Sequence, residues 1–231
     1  MSIAKNLQSV KSRIEQAARR VGRDPAEIKL VAATKDVPAD LVKEAIKAGL
    51  TDIGENRVQE AKQKFGALKE MPVTWHMIGH LQTNKVKAAL EIFSVIQSVD
   101  SEKLADEISS RAPKMIDVFI EVNTSGEESK FGIAPDRAIQ LAKHISGLKN
   151  LRLAGLMTVG PLTGDEKAVR KSFRLLKGVF DQIKGLNLPG VELKYLSMGM
   201  SQDFEAAIEE GSNLVRIGRA IFGIEHQRTS L

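Results

Sequence analysis

Lys35 closes the apolar run Leu30-Val31-Ala32-Ala33-Thr34 and is followed by Asp36, Val37 and Pro38. A lysine at the carboxyl end of a buried strand differs from one on a solvated helix face. Burial disfavours the ammonium, and the free amine is a nucleophile that forms an imine with an aldehyde. The plain alternative is a strand-end lysine pointing into water. A second group lies near the carboxyl end, in Ser197-Met198-Gly199-Met200-Ser201-Gln202-Asp203 and Arg216-Ile217-Gly218-Arg219-Ala220-Ile221-Phe222-Gly223. Gly218 removes a side chain from a turn, so backbone amides can approach an anion. Alternatively the glycines only shape turns and Ser201 caps the next helix. Arg216, two residues before Gly218, points to the same side, where it can meet an aromatic ring nitrogen or pair with Glu55.

These residues need a scaffold that brings them to one place. Strand-like runs span Lys29–Thr34, Asp52–Gly54, Thr74–Gly79, Val95–Ser98, Asp117–Val122, Arg152–Thr158, Leu193–Ser197 and Leu214–Gly218. Helix-period segments alternate with them: Ala39–Ala48, Val58–Leu68, Thr83–Leu90, Ser101–Ala112, Pro135–His144, Glu166–Lys184 and Phe204–Glu210, with an opening helix at about Ile3–Val21. Alternation of this kind implies parallel strands with helical crossovers, and eight units close a (β/α)8 barrel. An open doubly wound sheet is the other arrangement, but no G-x-G-x-x-G follows the first strand. We expect one barrel domain over 1–231 with an extra amino-terminal helix. In a barrel the site lies at the carboxyl ends of the strands. Strand exits there supply Lys35, Glu55, Asn56, His80, Asn123, Met157, Thr158, Ser197, Ser201, Arg216 and Arg219.

Composition narrows the chemistry. There are no cysteines and four histidines, which excludes thiolate chemistry and disfavours a histidine-rich metal site. The net charge of +5 is spread along the chain, and one Trp and one Tyr cannot build a stacking platform. A small-anion site fits this charge better than nucleic acid does. The amino terminus lacks an apolar leader segment and no stretch is long enough to cross a bilayer, so a cytoplasmic protein with no membrane partner is expected. With no additional interface domain, a monomer is expected. His76 and Trp75 read as packed strand residues, and Tyr195 as structural.

A lysine amine and a phosphate cradle on one rim suit a small phosphorylated aldehyde, and pyridoxal 5'-phosphate is such a molecule. An arginine beside its ring nitrogen keeps that nitrogen unprotonated, because adjacent cations repel. The runs Ile53-Gly54-Glu55-Asn56-Arg57-Val58-Gln59-Glu60, Trp75-His76-Met77-Ile78-Gly79-His80-Leu81-Gln82-Thr83-Asn84-Lys85 and Gly155-Leu156-Met157-Thr158, with Val31–Lys35, Asn123–Ile133, Ser197–Asp203 and Val215–Gly223, resemble the pyridoxal phosphate homeostasis protein family. That family is similar in fold to the amino-terminal barrel of alanine racemase. The resemblance runs in order along essentially the whole chain.

The resemblance implies that Lys35 carries pyridoxal 5'-phosphate as an imine. It implies that Ser201, Gly218 and Arg219 hold the phosphate, that Arg216 faces the ring nitrogen, and that Asn56, His80, Met157, Ser197 and Met198 line the pocket. One departure is visible. The family often reads Ser-Lys-Thr-Lys-Pro at the first strand exit, where this chain has Thr34-Lys35-Asp36-Val37-Pro38. The second basic residue is missing, so the charge around Lys35 differs. The implied role is vitamin B6 homeostasis, by buffering the cofactor or delivering it to apo-enzymes that need it, rather than catalysis. An amino-acid racemase is the alternative. It needs a second base on the opposite ring face, which in alanine racemases comes from an additional domain of a partner subunit. A phosphorylated-sugar aldolase is a third reading, disfavoured by the specific motif runs.

Overall fold

The computed structural model describes residues 2–127 and 129–223. Eight parallel strands close into a barrel in chain order: β1 Lys29–Ala33, β2 Asp52–Glu55, β3 Thr74–Met77, β4 Val95–Val99, β5 Ile116–Glu121, β6 Leu151–Met157, β7 Val191–Ser197 and β8 Leu214–Ile217. Closure is made by β8 against β1, with Val31 opposite Arg216 and Ala32 opposite Ile217. The expected barrel is therefore observed, and the open sheet is not.

The helices are α1 Ile3–Arg20, α2 Ala39–Lys47, α3 Val58–Leu68, α4 Val86–Leu90, α5 Glu102–Arg111, α6 Ala138–Ser146, α7 Glu166–Gly185, α8 Phe204–Glu209 and the one-turn α9 Arg219–Phe222. Two expected helices begin instead as 3-10 turns, at Thr83–Lys85 and Pro135–Arg137. Pro135 cannot donate to a preceding turn, which suits it to such a start. The strands begin up to two residues from their expected positions, as at Val191 in β7.

Strand residues alternate between two cores. Side chains facing outward, such as Ala32, Ile53, Trp75, Ile96, Val118, Leu153, Leu196 and Val215, pack under the helices. The interior holds a smaller cluster of Val31, Val95, Phe119, Ala154, Met157 and Leu214, with Tyr195 stacked on Phe119 at 5.7 Å. Fully burying one such aliphatic side chain contributes about 1.5–3 kcal/mol. Trp75 belongs to the outer core, edge-on to Phe65 and Phe93.

Helix α1 shows why the chain starts with a helix outside the repeat. Ser2 caps it by accepting from the Lys5 amide, and Ile3, Leu7, Val10, Ile14, Ala17 and Ala18 form one buried stripe at helical spacing. That stripe covers α8 and α9, which follow β7 and β8. Asn6 Nδ2 donates to Ile221 O at 2.9 Å, fixing the end of α9. Among the described residues no helix is long and apolar enough to cross a membrane.

Candidate functional site

Lys35 stands at the barrel mouth, where the alternation along β1 directs its side chain to the interior. Its side chain is partly buried and makes no hydrogen bond or ion pair with the described residues. The turn beyond it is sharp. Asp36 adopts φ 59°, a left-handed conformation that aspartate tolerates better than most residues, and the Val37 amide donates back to Thr34 O at 3.0 Å.

Behind Lys35 lies a buried ionic support. Thr34 faces outward and donates through Oγ1 to Glu55 Oε1 at 2.6 Å. From α3, Lys64 donates to the same oxygen at 2.7 Å and to Thr34 O at 2.5 Å. Burial pushes the Glu55 carboxyl up, opposed by the bonds from Lys64 and Thr34. The considered pairing of Glu55 with Arg216 is thus corrected. Glu55 points out of the barrel towards α3, and Arg216 points in.

Arg216 crosses the top of the interior, 4% exposed. It donates from Nη1 to Ser197 Oγ at 2.6 Å and from Nη2 to Thr158 O at 2.7 Å. A guanidinium has five N–H donors, and the remaining three have no partner among the described residues. Burial pulls its pKa down to about 10, against the opposing fields of Glu121 and Asp203. Glu121, at the end of β5, is 5% exposed, and its Oε2 has no hydrogen-bond partner among the described residues. Burial pushes its carboxyl up to about 7, opposed by Arg216 and assisted by Asp100. The loop after β5 buries it by folding back, with Ile133 N donating to Glu121 O at 2.8 Å.

The β2 and β3 exits meet through a glycine. A Cβ on Gly79 would lie 2.4 Å from Asn56 O, so no other residue allows this approach. Asn56 and His80 consequently line one cleft of about 280 Å³ with Met77, Leu81 and Gln82. His80 stacks on the half-exposed Phe131 at 4.1 Å, and its Nδ1 lies 3.3 Å from Asp100 Oδ2.

At the β8 exit, a Cβ on Gly218 would come within 2.8 Å of Ala33 O, beside the root of Lys35. Gly218 is buried and Arg219 is exposed. Arg219 and Ala220 open α9, so their amides lack intrahelical acceptors. Ser201 does not cap α8. Asp203 occupies the cap position, and its Oδ1 accepts from the Met200 amide at 2.6 Å. The Ser201 hydroxyl makes no hydrogen bond with the described residues.

Of the residues expected to act together, Ser197 and Arg216 are in direct contact, and Met157 lies in the interior cluster. Met198 does not join them; its side chain is fully buried in the outer core. Lys64, Asp100 and Glu121 were not among the site groups expected from the sequence, whereas Thr158 was, and its carbonyl accepts from Arg216. An acidic residue at each of two further strand exits was the available signal for Asp100 and Glu121.

The alanine racemase amino-terminal domain model matches residues 5–226. A pyridoxal phosphate homeostasis protein of Aquifex aeolicus is 44% identical over 226 residues, covering 96% of this chain and 98% of that protein. The chain belongs to the pyridoxal phosphate homeostasis protein family. PipY of Synechococcus elongatus, solved with pyridoxal phosphate bound, superposes with a TM-score of 0.83 at 31% identity, covering 96% of this chain and all of PipY. Alanine racemase of Clostridium difficile shares the fold alone, with a TM-score of 0.74 at 16% identity over 58% of its length.

Proposed function

We propose that this chain binds pyridoxal 5'-phosphate at the barrel mouth, tethered through Lys35 Nζ, and serves vitamin B6 homeostasis by holding or delivering the cofactor. The observation that carries this reading is the pairing of an unpartnered Lys35 amine with three spare Arg216 donors on the same mouth, in a chain that superposes on cofactor-bound PipY. The donor set fits the group. When bound, the cofactor supplies an aldehyde that a lysine amine takes up with loss of one water.

The chain's residues divide the remaining work. Arg216 faces the ring nitrogen and, as a neighbouring cation, disfavours a proton there. Asn56, His80, Met157 and Ser197 surround the ring. The Ser201 hydroxyl and the amides of Gly218, which caps α9, and of Arg219, its first residue, hold the phosphate. Met198 supports this wall from the outer core.

An unprotonated ring nitrogen withdraws few electrons, which supports holding over amino-acid turnover. Tyr195 is stacked on Phe119 in the interior, a poor placement for a racemase's second base. In this reading the protein is a cytoplasmic monomer whose partners are the cofactor and the apo-enzymes that receive it.

Borohydride reduction of the loaded protein should fix the cofactor on the peptide containing Lys35. Failure of the wild type to take up pyridoxal 5'-phosphate, or an adduct elsewhere, would sink the reading. Ser201→Ala combined with Arg219→Ala should weaken pyridoxal 5'-phosphate more than pyridoxal. Equal losses would show that the phosphate lies elsewhere.

A further inference from the structure

A single line of hydrogen bonds runs down the barrel interior from Arg216 to the floor. Ser197 Oγ, which accepts from Arg216, lies 2.7 Å from Gln97 Oε1. Gln97 Nε2 lies 3.0 Å from His76 Nδ1, and His76 Nε2 lies 2.9 Å from Asp52 Oδ1. Asp52 also accepts from Lys29 at 3.1 Å and Thr51 at 2.8 Å. The residues come from β8, β7, β4, β3, β2 and β1, and Gln97, Ser197, His76 and Asp52 are all buried.

With the Gln97 amide oxygen towards Ser197 and its nitrogen towards His76, elementary chemistry gives the direction of every bond. A guanidinium has no acceptor, so the Ser197 oxygen must accept from Arg216. The hydroxyl has one proton, which goes to Gln97 Oε1. The other end of that amide is NH2, so it donates to His76 Nδ1. His76 therefore carries its proton on Nε2 and donates it to Asp52. Burial holds the imidazole below its ordinary pKa, so it is a neutral link. Asp52 is pulled up by burial, but bonds from His76, Thr51 and Lys29 outweigh this and hold it below the usual carboxylate range. The anchoring charge is thus at the floor and the oriented end at the mouth.

We propose that Asp52, His76 and Gln97 are positioning residues that fix the Ser197 hydroxyl, and through it the Arg216 guanidinium, against the ring nitrogen of the bound cofactor. None of the three touches the cofactor in this scheme. Gln97 is the decisive link, because in this line of described residues it joins Ser197 above to His76 below. The inference rests on the proposed cofactor site.

The test loads the full chain with pyridoxal 5'-phosphate carrying a 15N ring nitrogen and reads that resonance with the dissociation constant. Gln97→Met removes both bonds at similar length. It should shift the resonance and weaken binding by up to about tenfold, the scale of one ordinary hydrogen bond. Gln97→Glu keeps an acceptor for Ser197 but its carboxylate has no donor for His76 Nδ1, so it breaks only the lower bond and should shift the resonance less than Gln97→Met. A folded Gln97→Met with wild-type resonance and affinity overturns the proposal, as does a Gln97→Glu shifted equally. If Gln97→Met does not fold, Asp52→Asn replaces it, with a smaller shift expected and no shift overturning the inference. If the wild type does not bind the cofactor, the site reading fails by itself. The relay is then read in the ligand-free protein, where guanidinium protons of Arg216 should exchange faster in Gln97→Met, and unchanged exchange rejects it.

Discussion

A lysine opens strand β1 and another follows two residues after its end, both directed towards the interior, and the two have opposite situations. Lys29, at the floor, lies 3.1 Å from Asp52, in a cluster where Thr51 and His76 satisfy the same carboxylate. Lys35, at the mouth, has no partner among the described residues, and the same end of the barrel holds the spare donors of Arg216 and the orphaned Glu121 Oε2. Buried polar groups are normally satisfied, since each orphan costs about 1–3 kcal/mol. A floor that is closed and a mouth that is left open, on one strand, is the pattern of a scaffold with a binding end. Function here is readable as stability forgone in one half of the barrel and retained in the other.

The contrast breaks most completely at Lys35. Lys35→Ala should abolish the borohydride-fixed adduct while leaving urea denaturation near the wild type, because among the described residues no hydrogen bond or ion pair ends on that amine. Mass spectrometry of the reduced protein checks the first outcome and a denaturation curve the second. The support behind Lys35 behaves differently. Lys64→Met leaves Glu55 buried without its cation, and breaking such a pair costs about 3 kcal/mol. Adding Glu55→Gln should recover part of that loss in the same denaturation measurement, since the orphaned charge is then gone.

The strand order was legible because β-branched runs and helix-period segments alternate without interruption. What was not legible is which strand face points inward. Both faces of a parallel barrel strand are buried, so hydrophobic alternation is blurred. For that reason the sequence allows Glu55 to meet Arg216 and Met198 to line the pocket, whereas Glu55 and Met198 lie on the outer face and Arg216 on the inner. Lys64 reads as a solvated helix residue, yet it is 9% exposed and reaches back under β1. Lys35, Ser201 and Gly218 are placed on the rim by chain position, because each lies within four residues after a strand. The interior line through Gln97 and His76 joins six strands, and no local spacing announces it.

Glu121 sharpens the contrast through pH. Its folded pKa of about 7 exceeds an ordinary glutamate value, so the folded state holds the proton more tightly. Between about pH 4.5 and 7 the unfolded chain has already released that proton while the folded chain retains it. Stability contributed by the protonated carboxyl is therefore complete at low pH and declines as pH rises through this window. The decline is about 3 kcal/mol at most. Glu121→Gln should flatten this dependence. Urea midpoints of both proteins at pH 5 and pH 8 measure it, and an unchanged slope in Glu121→Gln would place the titration on another group.

The smallest effect belongs to the floor. Lys29 is about a third exposed at its side chain, so its pair with Asp52 is screened by water and is worth about 1 kcal/mol or less. Lys29→Met retains the methylene packing and leaves Asp52 with Thr51 and His76 as donors. A shift of the urea midpoint within that limit is expected, and the adduct on Lys35 should form as in the wild type. If Lys29→Met instead impaired cofactor uptake as severely as Lys35→Ala, the two ends of β1 would not be separable. The open mouth would then depend on the floor charge itself, not merely on the neutral links between them.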